Sequence, residues 1–338
     1  MGLYDFAAKI FLSYRFRMAP LKKHISGMKP AVYNKSKTPL KVAAIQVEFI
    51  LHKTSIEYFE HMKSLAETAI REGAVFVAYP ENIHLPLYGL LPGIEKSFLG
   101  DSSTNKNGGN IRDAFMMVGP YLKGVYFETF SAIARLYGIY VMGGSITVPE
   151  EGELYNIAYL FGPDGKQIGS QKKLHITPDE ETFGLKPGSE LKIYDLPFGK
   201  VAFPVCMDAT YYETFELARK KGADMVVIPI GNMEEYEFYR ALRGIWPRVQ
   251  ESRVIGIKSA LVGRVAQFNF TGRAGIFAPI DLTPNRDGIL KISENHYGDE
   301  VITAEVDIET LRRYREQDEL LWDRNEVLYR KYFSKLYV

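Results

Sequence analysis

The sequence predicts a layered α/β protein, and three observations carry that expectation. From Lys41 onward, short apolar runs alternate with amphipathic helical patterns, the arrangement that stacks helices on a sheet. The apolar runs are numerous, which suggests two sheets face to face with helices outside, although periodicity fixes α/β layers and not their number. The 338 residues are 46% hydrophobic and 25% charged, the balance of a globular chain with a sizeable core. We expect one large domain, residues 41–310, flanked by an N-terminal extension (1–40) and a C-terminal helical tail (311–338).

The extension comes first. Its opening 41 residues carry nine Lys or Arg against one acid, Asp5. Leu3, Phe6, Ala7, Ile10, Phe11 and Tyr14 recur at the spacing of one helical face, so a basic amphipathic helix followed by a polar tether is expected. Two readings stay open. In one, residues 1–24 contact a membrane surface, with aromatic side chains among the headgroups and Lys9, Arg15, Arg17, Lys22 and Lys23 near anionic lipid. In the other, the helix packs on its own domain or on a second subunit. The start "MGLYDF" lacks the Ser or Thr of a myristoylation signal.

Within the domain, "KVAAIQVEFI" reads as a buried strand, "SIEYFEHMKSLAETAIREG" as an amphipathic helix stopped at Gly73, and "AVFVAYP" as the next strand. "YFETFSAIARLYG" and "IYVMGGSITV" give a second helix and strand. "LYNIAYLFGPDGKQIGSQKKLH" is a strand pair turning at Asp164-Gly165, and "KIYDLPFGKVAFPVC" another turning at Phe198-Gly199. Helix "YETFELARKKG", strand "ADMVVIPIG", a helix ending near Arg253, and strands "VIGIKSALVG", "AGIFAPID" and "VITAEVDI" complete the domain. The polar stretch "LGDSSTNKNGGN" (99–110) is a loop able to edge a site.

Charge and cysteine usage exclude several classes. With 42 basic and 41 acidic residues the formal charge is +1, so no global field recruits nucleic acid. One cysteine forms no intramolecular disulfide, and no CxxC, HExxH or Cys/His cluster offers a metal site. No apolar run is long enough to span a bilayer, and no secretory signal opens the chain. An intracellular, cytoplasmic protein is expected, with the inner membrane face as its place if the N-terminal helix docks there.

The lone thiol, Cys206, ends the apolar strand "VAFPV" and precedes a turn and helix, at the strand edge where α/β proteins form clefts. It is either a small buried hydrophobe or a nucleophile that needs a base and an oxyanion site, the latter supplied by backbone N–H groups starting at Met207. Two other strand ends bear on the choice. "AVFVAYPE" runs into Glu81, and "QIGSQKKLHITPDEE" ends in Lys172, Lys173 and His175, followed by Glu180 and Glu181. Taken singly, each is also explained as a solvated strand end or helix start.

Together and in this order, "FVAYPE", "KLHI" and "VCMDATYYE" resemble the marks of the nitrilase superfamily of carbon-nitrogen hydrolases, over about Lys41 to Ile308. The resemblance implies a four-layer αββα sandwich and a Glu-Lys-Cys triad on Glu81, Lys173 and Cys206. Glu81 would be the general base, Lys173 with the Met207 N–H would hold the oxyanion, and Cys206 would form a thioester. Lys173 is chosen over Lys172 because it precedes x-His-aliphatic. A second acid follows the Lys in the family, and Glu180 fits best, with Glu181 the register alternative. The resemblance makes His175 structural, and Asp208 is read as ordering the loop after the nucleophile. Tyr88, Asn232 and Tyr211 lie where the family builds its substrate pocket, and Tyr212 is read as pocket wall or packing.

The resemblance implies an amidohydrolase that acts on a linear amide with neither metal nor organic cofactor, takes no nucleic-acid partner and assembles as a homo-oligomer. The loops depart from the common pattern: "GSQKK" precedes the Lys and "ATYYE" follows the Cys. Aromatic loops and a basic N-terminus suit a lipid-like or long-chain amide met at a membrane. Nitrile hydrolysis, N-carbamoyl hydrolysis and N-acyl transfer are the alternatives within the family, and a non-catalytic membrane-docked scaffold is the alternative outside it.

Overall fold

Strand β1 (Leu40–Glu48) joins the two halves of one continuous sheet. It pairs in parallel with β2 (Phe76–Ala78) over 42–44 and antiparallel with β13 (Glu300–Val306) along 40–46. At its far end, residues 46–48 pair with β9 (Ile255–Val265), which leads into the second half. The first half runs outward through β3 (Tyr140–Glu150), β4 (Glu153–Phe161) and β5 (Gln167–Lys172). The second runs through β8 (Met225–Ile230), β7 (Gly199–Ala202) and β6 (Tyr194–Leu196), with β10 (Phe268–Phe270) and β11 (Gly275–Phe277) paired to β9 and β12 (Ile289–Ile292) paired to β11. The computed structural model describes residues 3–30, 39–94, 108–265, 268–317 and 325–332. The tether at 31–38 and residues 99–107 of the polar loop lie outside them, as do 318–324 and 333–338 of the tail.

Alternation along the strands sorts side chains into three apolar layers. Val42, Ala44, Phe76 and Ala78 of the first half meet Val201, Met225, Val227, Ile255 and Ile257 of the second in a central core. The intervening residues Ala43, Ile45, Val47 and Val77 face outward onto α3 (Ser55–Arg71) and α4 (Gly108–Tyr137). On the opposite flank Val226, Ile228 and Ala260 pack on α6 (Tyr212–Lys220) and α8 (Trp246–Ser252). Helix, sheet, sheet, helix is therefore the layer order, the sandwich that the sequence resemblance implied.

Several elements differ from expectation. Helix α4 begins at Gly108, well before "YFETF", and carries Pro120 inside it. Gly119-Pro120 reads as a breaker, but here the glycine is a close approach: a Cβ on Gly119 would sit 2.5 Å from Pro149 Cδ, so only glycine lets the helix rest on β3 at that point. The second hairpin turns at Pro197-Phe198, one residue earlier than expected, since Leu196 pairs with Gly199. The short strands β10 and β12 had no clear apolar run to announce them.

The N-terminal extension forms α1 (Leu3–Arg15) and α2 (Met18–Ser26). Leu12, Phe16, Leu21 and Ile25 are buried in the outer core beside α3 and α4, each worth about 1.5–3 kcal/mol on full burial. The face singled out by periodicity is a different one: Phe6, Ile10, Phe11 and Tyr14 are all exposed. The helix thus has a docked stripe and an undocked apolar stripe. Among the described residues, no helix is long and apolar enough to cross a membrane.

Candidate active site

Three chain segments leaving β2, β5 and β7 carry Glu81, Lys173 and Cys206, and the fold brings them together. Glu81 follows Tyr79-Pro80 and is fixed by a bulge in β3, where the pairing with β4 shifts between Met142 and Ser145. The Ser145 N–H donates to Pro80 O at 3.2 Å, and Gly144 adopts φ +73° so close to that oxygen that a Cβ would stand 2.0 Å from it. No other residue fits at Gly144. The Glu81 carboxylate is buried, where it accepts from Lys173 Nζ and from Asn156 Nδ2, each at 2.9 Å.

Lys173 continues from β5, its N–H donating to Asn156 O at 2.8 Å. Its ammonium, also buried, donates to Glu81 and to both oxygens of Glu180 at 2.8 Å. Glu180 is aimed there by a capping box at the start of α5 (Pro178–Thr182): the Thr177 N–H donates to Glu180 Oε2 at 2.8 Å while Thr177 Oγ1 accepts from the Glu180 N–H. Glu181, one residue on, is exposed. Lys172 instead pairs with Glu150 at 3.0 Å, away from the cluster. The register ambiguity at both positions is thus separated by geometry.

Cys206 sits at the head of a 3₁₀ turn (Cys206–Thr210) with φ +45°, a left-handed backbone that costs a non-glycine residue energy and lifts the thiol out of the strand line. Its Sγ donates to Asn232 Oδ1 at 3.4 Å. Met207 lies in the first turn, where backbone N–H groups have no partner within the turn. Asp208, fully buried, accepts from the N–H groups of Val205 (2.8 Å), Leu174 (3.0 Å) and His175 (2.6 Å), and from His175 Nδ1 at 3.0 Å. One carboxylate therefore staples the nucleophile's segment to the lysine's segment. His175 is a structural partner of Asp208, stacked on Tyr211 at 4.3 Å between centroids.

The electrostatics are set by this packing. Burial pushes the Cys206 thiol well up, and the neighbouring Glu81 carboxylate adds to that; Lys173 and the Gly231 backbone offset only part. Burial also raises the Glu81 carboxyl, with Lys173 opposing and Glu180 assisting. For Lys173, burial would lower the ammonium, but Glu81, Cys206 and Glu180 outweigh it and the net direction is up. The result is a thiol that holds its proton firmly near a carboxylate, beside a lysine kept in its charged form.

Beside Cys206 opens a cavity of about 70 Å³. Cys206, Met207 and Asn232 line it together with Thr210, Tyr236, Arg240, Lys258 and the acids Glu234, Glu235 and Glu237. Glu81 and Lys173 are not among its lining residues. Of the three side chains expected in a substrate pocket, Asn232 is on the wall. Tyr88 is instead buried in the outer core, and Tyr211 caps His175; neither lines this cavity. Tyr212 begins α6 and is also absent from its walls. The cavity is small, its lining mixes these polar and charged groups with Ile228, Ile230 and Ile245, and no described residue of α1 or α2 contributes to it.

Asn156 was not singled out from the sequence. It is buried on β4, and its amide also donates to Glu180 Oε1 at 3.2 Å, so it orients both carboxylates around Lys173. The available signal was an amide inside the apolar run "YNIAYLF".

Comparison with known proteins places this geometry. The model of the carbon-nitrogen hydrolase family matches residues 41–255. A protein of Bacillus subtilis (strain 168) named probable hydrolase YhcX is 30% identical over 310 residues, 90% of this chain; the chain spans 57% of that protein's length. Omega-amidase NIT2 of Xenopus tropicalis is 27% identical over 300 residues, covering 84% of this chain and 95% of that one. Among solved structures, the NitN amidase from Neterenkonia sp. AN1 superposes with a TM-score of 0.64 at 17% identity, over 87% of this chain and 99% of that one. A mutant of the Nesterenkonia sp. AN1 amidase, with the acetamide moiety of fluoroacetamide added covalently at its active-site cysteine, gives 0.65 at 16% identity, over 89% and 100%. At such identities the structures share the fold.

Proposed function

The chain belongs to the carbon-nitrogen hydrolase family, and from that premise we propose that it hydrolyses short, polar linear amides through a thioester on Cys206. The observation that carries the reading is the Glu81–Lys173–Glu180 ion cluster, two of its members buried and Glu180 partly so, beside the only thiol of the chain. A structural role has little use for such an arrangement, because burying the charged pair Glu81–Lys173 costs more than an apolar substitute would.

In the proposed reaction Glu81 takes the Cys206 proton as sulfur attacks the amide carbon. The oxyanion is held by the Lys173 ammonium and the Met207 N–H. Collapse breaks the carbon–nitrogen bond, Glu81 returns its proton to the departing nitrogen, and ammonia or an amine leaves. Water then attacks the thioester, giving a proton to Glu81, and the acid departs as Cys206 regains its proton. Glu180 and Asn156 keep Lys173 and Glu81 in place, Asp208 holds the two segments in register, and Asn232 borders the substrate. The omega-amidase name of several relatives supports a terminal amide. The test is intact mass spectrometry with a panel of short amides: an acyl adduct on the wild type, absent from Cys206→Ala, and release of the free acid. A protein that never acquires an adduct while Cys206→Ala keeps full turnover ends this reading.

The exposed stripe of α1 extends the proposal to placement. Phe6, Ile10, Phe11 and Tyr14 are exposed on a segment whose basic residues include Lys9, Arg15 and Arg17, a combination that suits an anionic membrane surface. Vesicles containing phosphatidylserine should sediment the protein, less so at high salt, and replacing Phe6, Ile10 and Phe11 by serine should abolish it. Absence of vesicle binding, with a homodimer that the same substitutions dissociate, would assign the stripe to a second copy instead.

A further inference from the structure

The general base of the proposed reaction stands past the end of β2, and from Tyr79 to Ile83 the backbone is fixed point by point. The Tyr79 N–H donates to Met142 O at 2.9 Å, while Tyr79 O accepts from the Ser259 hydroxyl, on β9, at 2.8 Å. Pro80 O accepts from the Ser145 N–H at 3.2 Å. Past Glu81, the Asn82 N–H donates to Ser145 Oγ at 3.4 Å and the Ile83 N–H to Ser145 O at 3.1 Å. Ile83 O accepts from the Tyr58 hydroxyl, on α3, at 3.0 Å. Tyr58, Ser145 and Ser259 are all fully buried. Asn82, the residue after the base, has φ +57°, a left-handed conformation that asparagine tolerates better than most residues but that still costs energy.

Hydroxyls buried this deeply are costly unless hydrogen bonded, and those of Tyr58 and Ser259 reach the segment from different elements to grip its last and first carbonyls. A strained residue persists only where its surroundings over-determine it, and Asn82 lies inside that grip, next to Glu81. We propose that Tyr58 and Ser259 are positioning residues, whose hydroxyls hold 79–83 in the arrangement that keeps the Glu81 carboxylate where it can take the thiol proton. This rests on the amidohydrolase reading of Cys206, in which Glu81 is the base. Neither residue lines the cavity beside Cys206, so both act through Glu81. Without either bond the segment relaxes at Asn82, and a displacement of about 1 Å at a reacting group is worth about 100-fold in rate.

Burial is the chief cause that raises the Glu81 carboxyl, and Lys173, Glu180 and Cys206 are the charged or titratable groups that face it. A loosened segment admits water, weakens the burial and lets the carboxyl fall toward its ordinary value. The acid limb of any reaction that needs Glu81 as base then moves to lower pH. His52, beside the Tyr58 ring, and His84, next to Ile83, are lowered by burial to about 4 and about 3, so both stay neutral over the range of the test.

The test reads the base without turnover. Cys206 is the only thiol, so iodoacetamide alkylates a single cysteine: sulfur bonds to the methylene carbon, iodide leaves, and the thiol proton passes to Glu81. Intact mass follows the second-order rate from about pH 5 to 8 in the wild type, Tyr58→Phe, Ser259→Ala and Ser293→Ala. Each substitution deletes one buried oxygen. Ser293, equally buried, donates to Gln46 Oε1 at 2.8 Å, outside the segment, and controls for a merely structural loss. Tyr58→Phe and Ser259→Ala should each slow alkylation at least about tenfold and move its acid limb to lower pH, and with an amide that is turned over they should lower kcat with little change in KM. Ser293→Ala should match the wild type in rate and limb, whatever it does to Tm. Rates and limbs that stay unchanged in Tyr58→Phe and Ser259→Ala, or that change equally in all three variants, overturn the positioning. Should one of the two fail to fold, the other decides. The two readings fail separately: slowed alkylation in a protein that never forms an acyl adduct ends the amidase reading and leaves the positioning, whereas adducts formed equally by wild type and both variants, at equal alkylation rates, do the reverse.

Discussion

Lys173 and Lys258 are 2% and 3% exposed, within one domain and on either side of the same cysteine, yet the protein holds their charges in opposite ways. Burial lowers both. Around Lys173 the carboxylates of Glu81 and Glu180 outweigh that penalty and drive the ammonium upward. Around Lys258 the nearest charge to act is Arg273, which adds to it, and the side chain falls to about 8. Depth is therefore not what sets the protonation of a buried lysine here; the number of carboxylates in contact is. One lysine belongs to a closed ion network; the other donates to the Ala241 carbonyl oxygen, in the short helix α7 (Phe238–Leu242), and has no carboxylate within ion-pair distance among the described residues.

Removing each lysine should expose that difference most directly. Lys173→Met leaves two carboxylates around an apolar side chain, and unfolding by denaturant should show a loss of about 3–5 kcal/mol. Its kcat/KM should fall about 100- to 1000-fold, as expected for removal of an oxyanion donor. Lys258→Met strands no opposite charge, so its stability at pH 7 should match or exceed the wild type. Similar destabilisation by both substitutions would erase the contrast.

The pH dependence of stability resolves it more finely. For Lys173 the folded value lies above the unfolded one, so its contribution is complete below the ordinary lysine value and is lost only as pH climbs past the folded value. For Lys258 the folded value lies below, so the favourable state exists above 10.5 and is lost as pH falls through about 8. A drop from 10.5 to about 8 corresponds to about 3 kcal/mol. The stability advantage of Lys258→Met over wild type should be near that size at pH 7 and shrink between pH 8 and 10.5. A pH-independent difference would place the charge of Lys258 in water, not in the core.

The same contrast explains what the sequence disclosed. Glu81, Lys173 and Cys206 each follow the end of a strand, and short motifs at strand ends survive translation into space because the sheet itself aligns them. Asn156 and Lys258 are polar residues inside the apolar runs "YNIAYLF" and "VIGIKSALVG". Which layer each enters depends on the strand's facing and on what packs above it, neither of which is local. Asp208 was legible as a loop residue, but its grip on Leu174 and His175 depends on a contact between segments more than thirty residues apart. The α1 face failed differently: periodicity found an apolar stripe correctly, while the domain buried Leu12 and Phe16 on another side of the helix.

The smallest effect separates two adjacent acids. Glu180 accepts twice from Lys173, once from the Thr177 N–H and once from Asn156, whereas Glu181 is exposed. Glu180→Gln keeps the shape but removes one of the two charges opposing the burial of Lys173, so the ammonium should lose its proton at lower pH than in wild type. That moves the alkaline limb of the kcat/KM profile to lower pH and reduces kcat about tenfold, an effect of about 1.4 kcal/mol. Glu181→Gln should leave the profile in place and alter stability by less than about 0.5 kcal/mol, as for a surface substitution. If the two variants shift the alkaline limb equally, Lys173 is responding to diffuse field and not to contact, and the difference between the two lysines loses its physical basis.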